Sequence, residues 1–420
     1  MMGNGRSHKR RSSGTPRVGS TEIAGSRISP RIRTGNNDTG RQILFYTNAP
    51  WCKTGYGQQA AQLTPRLIQD GHQVAIHANY GLEGTNTVWN GIEIYPKGLA
   101  AYSDDVMVAH YQEWAHRRPE ANPLLMTLFD VWVFKSKALD SVPSIVSWVP
   151  VDHTPCPPDV LAWCAKPNVT TVAMSKFGQK MLFNAGVDAV YAPHGIEPIF
   201  KPTPFTRGVS GKQLMGIPED AFVVMMNAAN KGNHPPRKAF GENLLAFAVF
   251  ATTHKDAFLY LHTDMMGTSG VNLRTLANAA GIPEDRVVFA DPYAMRTGVD
   301  NEVLACLYSC ADVLLACSMG EGFGIPVVEA QACGTRVITT NQTAQPELNG
   351  DGWLVDCQPY WDVAQASWFH TPYIKEIVEA LENAYNAPRG ASEQAQEFAK
   401  QYDADTVYQQ FWQPIMATVA

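Results

Sequence analysis

Apolar residues come in short runs separated by helix-length stretches of mixed polarity, and from Gln42 onward the alternation is regular. Residues 43–46 form a run short enough for a buried strand and too short for a helix. After the loop 47–56, Ala60, Ala61, Thr64, Leu67 and Ile68 recur at helical spacing until Gly71 ends the helix. The next strand is expected at 74–77, and further strands at 106–109, 124–128, 145–151, 169–173 and 190–192. Ser175 is placed to cap a helix that stops before Gly186. Strands alternating with helices imply a parallel sheet covered on both faces.

The pattern breaks over 194–210, where Pro198, Pro202 and Pro204 fall close together. It then restarts, with strands expected at 222–226, 258–262, 287–290, 313–317 and 337–340. Helices are expected between them at 240–250, 273–280, 302–310 and 326–333. The expectation is therefore α/β, with two doubly wound Rossmann-like domains facing across a cleft. A chain of 420 residues is too long for one core and suits two. The domains are placed at 42–198 and 199–390. Beyond 391, Phe398, Tyr402, Val407 and Phe411 mark a helical segment, 391–420, that packs back onto the first domain.

Charge changes this picture at one end. Residues 1–41 carry nine Lys or Arg against Glu22 and Asp38, a net of +7, which leaves −13 for the rest of a chain whose total is −6. That segment has almost no large apolar residues, so disorder is expected. Its positive charge suits contact with an anionic surface, either membrane or nucleic acid. No stretch reaches the ~18 apolar residues of a membrane helix, and no apolar run marks a secretory signal. Eight cysteines without a C-x-x-C pair give neither a disulfide framework nor a zinc site. A cytoplasmic protein is expected.

The chemistry concentrates in 318–338, S-M-G-E-G-F-G-I-P-V-V-E-A-Q-A-C-G-T-R-V-I. It follows an apolar strand and opens a helix, with Pro326 suited to the first turn and Gly334 to the residue past the end. Gly320, Gly322 and Gly324 allow close backbone approach, and a helix N-terminus favours a phosphate. Glu321 and Glu329 lie in the loop and on the helix, where carboxylates can accept hydrogen bonds from the hydroxyls of a sugar or ribose.

This segment resembles the signature of the family-4 (group 1) retaining glycosyltransferases of the GT-B fold, in which two glutamates are separated by seven residues. The resemblance implies a nucleotide-sugar donor, with UDP- or GDP-sugars the leading choices, and no required cofactor. It implies that Glu321 contacts the donor sugar and Glu329 the ribose. Gly322, Phe323 and Gly324 would offer backbone amides to the sugar and diphosphate. Other segments resemble the family too, among them V-A-M-S-K-F-G from Val172, A-P-H-G-I-E-P-I-F from Ala192 and P-E-L from Pro346. Lys238 resembles the family lysine that binds the diphosphate. The usual partner arginine is replaced by Asn233, with Arg237 or Lys231 as substitutes.

The loop T-G-Y-G-Q-Q-A from Thr54 resembles the family's glycine-rich loop, so that Gly55 and Gly57 approach the donor diphosphate. Alone it also reads as a dinucleotide-binding loop, but that reading needs an acidic residue after the second strand, and His77-Ala-Asn79 has none. His153 matches a histidine that the family places near the reaction centre, with Asp152 beside it as an orienting group. His110 is a candidate for the acceptor side. The first domain would take the acceptor (lipid, glycan, protein or modified DNA) and the second the donor. The Asp-x-Asp at Asp403 and Asp405 falls in the C-terminal segment, the wrong place for a metal site. Two other readings stay open: a phosphorylase-like enzyme on the same fold, and a nucleotide-sugar-binding protein without turnover.

Overall fold

The computed structural model describes residues 40–232, 235–267 and 269–419. The basic tail, apart from Gly40 and Arg41, lies outside the described residues, as does Asn233.

Two sheets carry the fold. The first contains β1 (Gln42–Thr47), β2 (Gln73–Ala78), β3 (Thr87–Trp89), β4 (Ile92–Tyr95), β5 (Leu124–Leu128), β6 (Ile145–Val149), β7 (Val169–Ala173) and β8 (Val190–Tyr191). Its order is β3-β4-β2-β1-β5-β6-β7-β8, parallel except for the edge pair β3–β4. A short hairpin of β9 (Phe205–Thr206) and β10 (Val209–Ser210) precedes the second sheet. That sheet holds β11 (Phe222–Asn227), β12 (Ala257–His262), β13 (Val287–Phe289), β14 (Val313–Leu315), β15 (Arg336–Thr340) and β16 (Gly352–Val355). It is wholly parallel, in the order β13-β12-β11-β14-β15-β16. A separate antiparallel hairpin follows, β17 (Cys357–Asp362) with β18 (Ser367–Pro372).

In each sheet the strand order reverses beside its first strand, between β1 and β5 and again between β11 and β14. At such a point the loops leaving the two strands part to opposite faces and open a crevice at the carboxyl ends, where ligands of α/β sheets bind. Four loops are thereby singled out: those after β1, β5, β11 and β14.

The core explains how the halves hold together. One face of the first sheet (Ile43, Phe45, Met126, Trp148) and one of the second (Val223, Met225, Leu314, Val337) belong to a single apolar cluster. The C-terminal residues Tyr402, Val407 and Trp412 join it, with Trp412 edge-on to Trp148 at 4.8 Å between ring centroids. Ile196 donates to Tyr402 O and accepts from the Ala404 amide. Arg66 pairs with both Glu197 and Asp405. The carboxylate of Glu347 accepts the backbone N–H groups of Lys176 and Phe177, at the start of the helix Lys176–Asn184. A negative charge there also faces the positive end of that helix dipole.

One element differs in kind from the sequence expectation. Residues 106–109 are not a strand; Met107–His116 is a helix. Its buried residues are Met107, Tyr111 and Trp114, at spacings of four and three. That helical period outweighs the β-favouring V-M-V run at its start. The strands β3 and β4 and the hairpin β17–β18 were not foreseen.

Candidate active site

The loops at the two reversal points meet. After β1, Thr54 caps the helix Gly55–Gln69, its hydroxyl accepting from the Gly57 amide at 3.1 Å. A Cβ on Gly57 would sit 2.4 Å from Cys52 O, so the tight turn admits only glycine. Gly55 faces the second half, where a Cβ would meet Ile325 Cδ1 at 3.3 Å. The hydroxyl of Tyr56, from the first turn of that helix, hydrogen-bonds Asp130, from the loop after β5.

From the second half come Arg237 and Lys238, between β11 and the helix Phe240–Phe250, and the loop 318–324 after β14. Glu321 is the hub. Its Oε1 takes the ammonium of Lys238 and, at 2.7 Å, the hydroxyl of Ser318. Its Oε2 takes Arg237 Nη1 at 3.0 Å. Arg237 also donates to Gly320 O and lies 4.0 Å from Asp152 Oδ2. Burial raises the proton affinity of Glu321, but Arg237 and Lys238 outweigh it and hold the carboxyl down at about 2. The Lys238 ammonium is lowered by burial, against the pull of Glu321. Asp130 is raised to about 6 by burial and by neighbouring Asp152.

His153 follows β6. Its Nδ1 lies 2.6 Å from Asp152 Oδ1 and its Nε2 3.2 Å from Asp362 Oδ2. The ring stacks on Phe369 at 3.7 Å between centroids. Both partners from the second half, Asp362 and Phe369, sit on the β17–β18 hairpin.

The glycines of the 318–324 loop serve protein packing as well as any ligand. A Cβ on Gly320 would fall 2.2 Å from Asp152 O, and one on Gly322 2.6 Å from Pro150 Cβ. Gly324 has φ +126°, which side chains rarely adopt. It precedes the helix Ile325–Ala332, with Pro326 in the first turn. Phe323 is buried edge-on to His194.

Glu329 lies on that helix, 3% exposed. It accepts from the Tyr308 hydroxyl at 3.0 Å, and Tyr308 in turn accepts from Asn227 Nδ2 at 2.6 Å. Burial lifts its carboxyl to about 7.

The structure thus brings Glu321, Lys238, Arg237, Asp152 and His153 together, with Gly55, Gly57 and Glu329 on the adjoining elements. His110 is not part of the cluster. It sits within the helix Met107–His116, not beyond a strand end, with Nδ1 3.2 Å from His77 Nδ1 and its ring beside Tyr95. Burial lowers the proton affinity of both histidines, that of His77 to about 3. Of the two substitutes for the family arginine, Arg237 joins Lys238, whereas Lys231 lies over the Tyr80 ring. Asp403 caps a helix through the amides of Asp405 and Thr406, and Asp405 pairs with Arg66. Among the described residues, no group of three or more His, Cys, Asp or Glu gathers as a metal-ligand set. No helix among them is long and apolar enough to cross a membrane.

Sequence reasoning missed Tyr56, Asp130 and Asp362. The first two follow the strands at the reversal point of the first sheet, Tyr56 in the first turn of a helix and Asp130 in a loop, a signal that becomes available only with the strand order.

Residues 234–367 match the family described as Glycosyl transferases group 1. D-inositol 3-phosphate glycosyltransferase of Streptomyces avermitilis is 31% identical over 145 residues, 34% of this chain and 30% of that protein. The chain therefore matches less than a third of that relative's length. Among solved structures, sucrose-phosphate synthase from Thermosynechococcus elongatus superposes with TM-score 0.67 at 16% identity, over 89% of this chain and 98% of the other. HepE of Anabaena, solved in complex with UDP-glucose, gives TM-score 0.62 at 17% identity, over 89% and 98%. The chain has the GT-B fold, and within it residues 234–367 match the group 1 glycosyltransferase family model.

Proposed function

We propose that the protein is a retaining glycosyltransferase that moves a sugar from a nucleotide-diphosphate donor to an acceptor hydroxyl. The observation that carries this reading is the meeting of Arg237, Lys238 and Glu321 at the carboxyl ends of the second sheet, next to Asp152 and His153 from the first. Fixed cations beside a helix N-terminus suit a departing diphosphate, whose negative charge grows as the bond to the sugar breaks. Glu321 suits the hydroxyls of the transferred sugar, and Glu329 those of the ribose. The amides of Gly322, Phe323 and Gly324 reach the sugar and diphosphate. The glycine-rich turn of Gly55 and Gly57 approaches the diphosphate from the opposite side.

In the reaction, the anomeric C–O bond to the diphosphate breaks and its electron pair leaves with the phosphate. The acceptor oxygen bonds to the anomeric carbon on the same face, and its proton passes to the leaving phosphate. Asp130 and Asp152 line the side from which the acceptor enters, and His153 lies at the reaction centre. Domain roles follow: 199–390 takes the donor and 42–198 the acceptor. The UDP-glucose bound in the Anabaena structure makes UDP the first nucleotide to test.

Thermal stabilisation by UDP, GDP, ADP and dTDP tests the donor class. A ligand at 100 times its dissociation constant adds ~2.7 kcal/mol. The reading requires a shift by one nucleotide that is lost in Lys238→Ala and Glu329→Ala. No shift by any of the four would count against a nucleotide-sugar donor. NMR of the product's anomeric centre tests retention; an inverted centre refutes it.

A further inference from the structure

The β17–β18 hairpin belongs to neither large sheet, yet it reaches the first half at one place, the loop carrying His153. Thr154 and Trp368 exchange a pair of backbone hydrogen bonds, at 3.1 and 3.2 Å. Ser367 Oγ donates to Pro155 O at 2.6 Å. On its other side, His370 N donates to Met319 O, and Met319 N donates to Arg237 O, both at 2.8 Å. The hairpin therefore ties the loop of Arg237 and Glu321 to the loop of His153.

Its register decides which side chains meet the histidine. Asp362 pairs with Ser367 and Tyr360 with Phe369, and paired residues in a strand ladder point to one face. On that face Asp362, Ser367 and Phe369 are buried, while Tyr360, farther from the turn, is exposed. Asp362 is held at both oxygens: Oδ1 accepts the Ala364 amide of the turn at 3.0 Å, and Oδ2 faces His153 Nε2 at 3.2 Å. With Asp152 at Nδ1 and Phe369 under the ring, His153 has no freedom to rotate.

We propose that Asp362 is a positioning residue, fixing the orientation of the His153 ring for the transfer reaction, and that the hairpin delivers it to this site. The inference rests on the reading that His153 lies at the reaction centre. It goes beyond that reading by assigning the second half a part in setting the geometry of a first-half residue.

Asp362→Asn separates this role from a merely structural one. The amide oxygen still accepts from Ala364, so the turn is kept, while an NH2 group now faces Nε2 and confines the imidazole to the Nδ1–H tautomer. The ring 15N signals of His153, assigned by their loss in His153→Ala, should change in Asp362→Asn. In kinetics, UDP release from UDP-glucose serves as the probe. Asp362→Ala should lower kcat on the order of 10²-fold, the scale of a misplaced reacting group, and leave the KM for UDP-glucose and the UDP thermal shift within about twofold. In a His153→Ala background the same substitution should have no further effect on kcat, because its effect passes through the histidine. Unchanged His153 signals in Asp362→Asn, or an undiminished kcat loss in the His153→Ala background, would overturn the proposal. If the wild type releases no UDP, the transferase reading has failed at this donor, and the His153 spectrum alone decides whether Asp362 positions the ring.

Discussion

Replacing Glu329 by Gln should make the protein more stable above pH 7 while weakening its hold on nucleotide. The ordinary carboxyl value is 4.5, and burial lifts Glu329 to about 7. A tenfold change in proton affinity corresponds to ~1.4 kcal/mol, so the difference is ~3 kcal/mol. The sign follows from proton counting. Between pH 4.5 and 7 the folded chain keeps the Glu329 proton and the unfolded chain has lost it, so this residue's contribution to stability falls as pH rises and levels off above 7. Gln has no proton to lose. The Tyr308 hydroxyl can donate to its amide oxygen as it does to the carboxylate. Wild type and Glu329→Gln should therefore melt alike near pH 4.5 and diverge to ~3 kcal/mol at pH 8. At 2–4 °C per kcal/mol for a domain of this size, that is roughly 6–12 °C. Melting both proteins from pH 4.5 to 8 in the same buffers, with the difference as the observable, cancels other titrating groups such as Asp130. Equal melting temperatures at pH 8 would mean that Glu329 pays no burial penalty, and the reasoning would fail. The stabilised variant should also lose the thermal shift given by the bound nucleotide.

Lys238→Ala should lower turnover by about 10²–10³, the cost of losing a group that stabilises developing charge; turnover with a nucleotide-sugar checks it. Gly57→Ala should destabilise the first half by about 1–3 kcal/mol, because its Cβ falls 2.4 Å from Cys52 O; denaturant unfolding reads this. Gly320→Ala places a Cβ 2.2 Å from Asp152 O, across the two halves. Nucleotide affinity should drop while circular dichroism stays that of the wild type. Asp130 is raised to about 6, so if its carboxylate must receive an acceptor hydroxyl, kcat/KM should fall below pH 6. Asp130→Asn should remove that acid limb.

Most strands and helices that frame the crevice were legible because they are buried on both faces or amphipathic, and such segments advertise their period. Strand β1 is buried at every residue, and the loop after β14 carries its glutamates at a fixed spacing on a strand–loop–helix unit. The hairpin was not legible, for definite reasons. C-Q-P-Y-W-D and S-W-F-H-T-P each contain a proline, and the turn V-A-Q-A has no Gly or Asn. The left-handed position of that turn is taken by Ala366, at φ +47°. Asp130 was hidden differently. It stands two residues past a well-marked strand, but nothing local says that this strand borders the reversal point; only the pairing of β5 with β1 does. The element before His110 reads as a strand because V-M-V favours one, and the buried Tyr111 and Trp114 that fix the helix lie beyond it.

The arrangement of charge around Glu321 links assembly of the halves to readiness for a ligand. Arg237 and Lys238 are neighbours in sequence, and two half-buried cations side by side would repel one another. Without a counter-charge their burial would cost several kcal/mol. Glu321 supplies that charge, and its loop can approach only because residues 320 and 322 lack side chains where Asp152 and Pro150 press in. Closing the halves and neutralising the cation pair are thus one event. A diphosphate brings more negative charge than the single carboxylate, so on the proposed reading it takes over Arg237 and Lys238 and frees Glu321 for the sugar hydroxyls. The same glutamate then serves twice: as the counter-ion that keeps the site buried without donor, and as the group that recognises the sugar once the donor is bound.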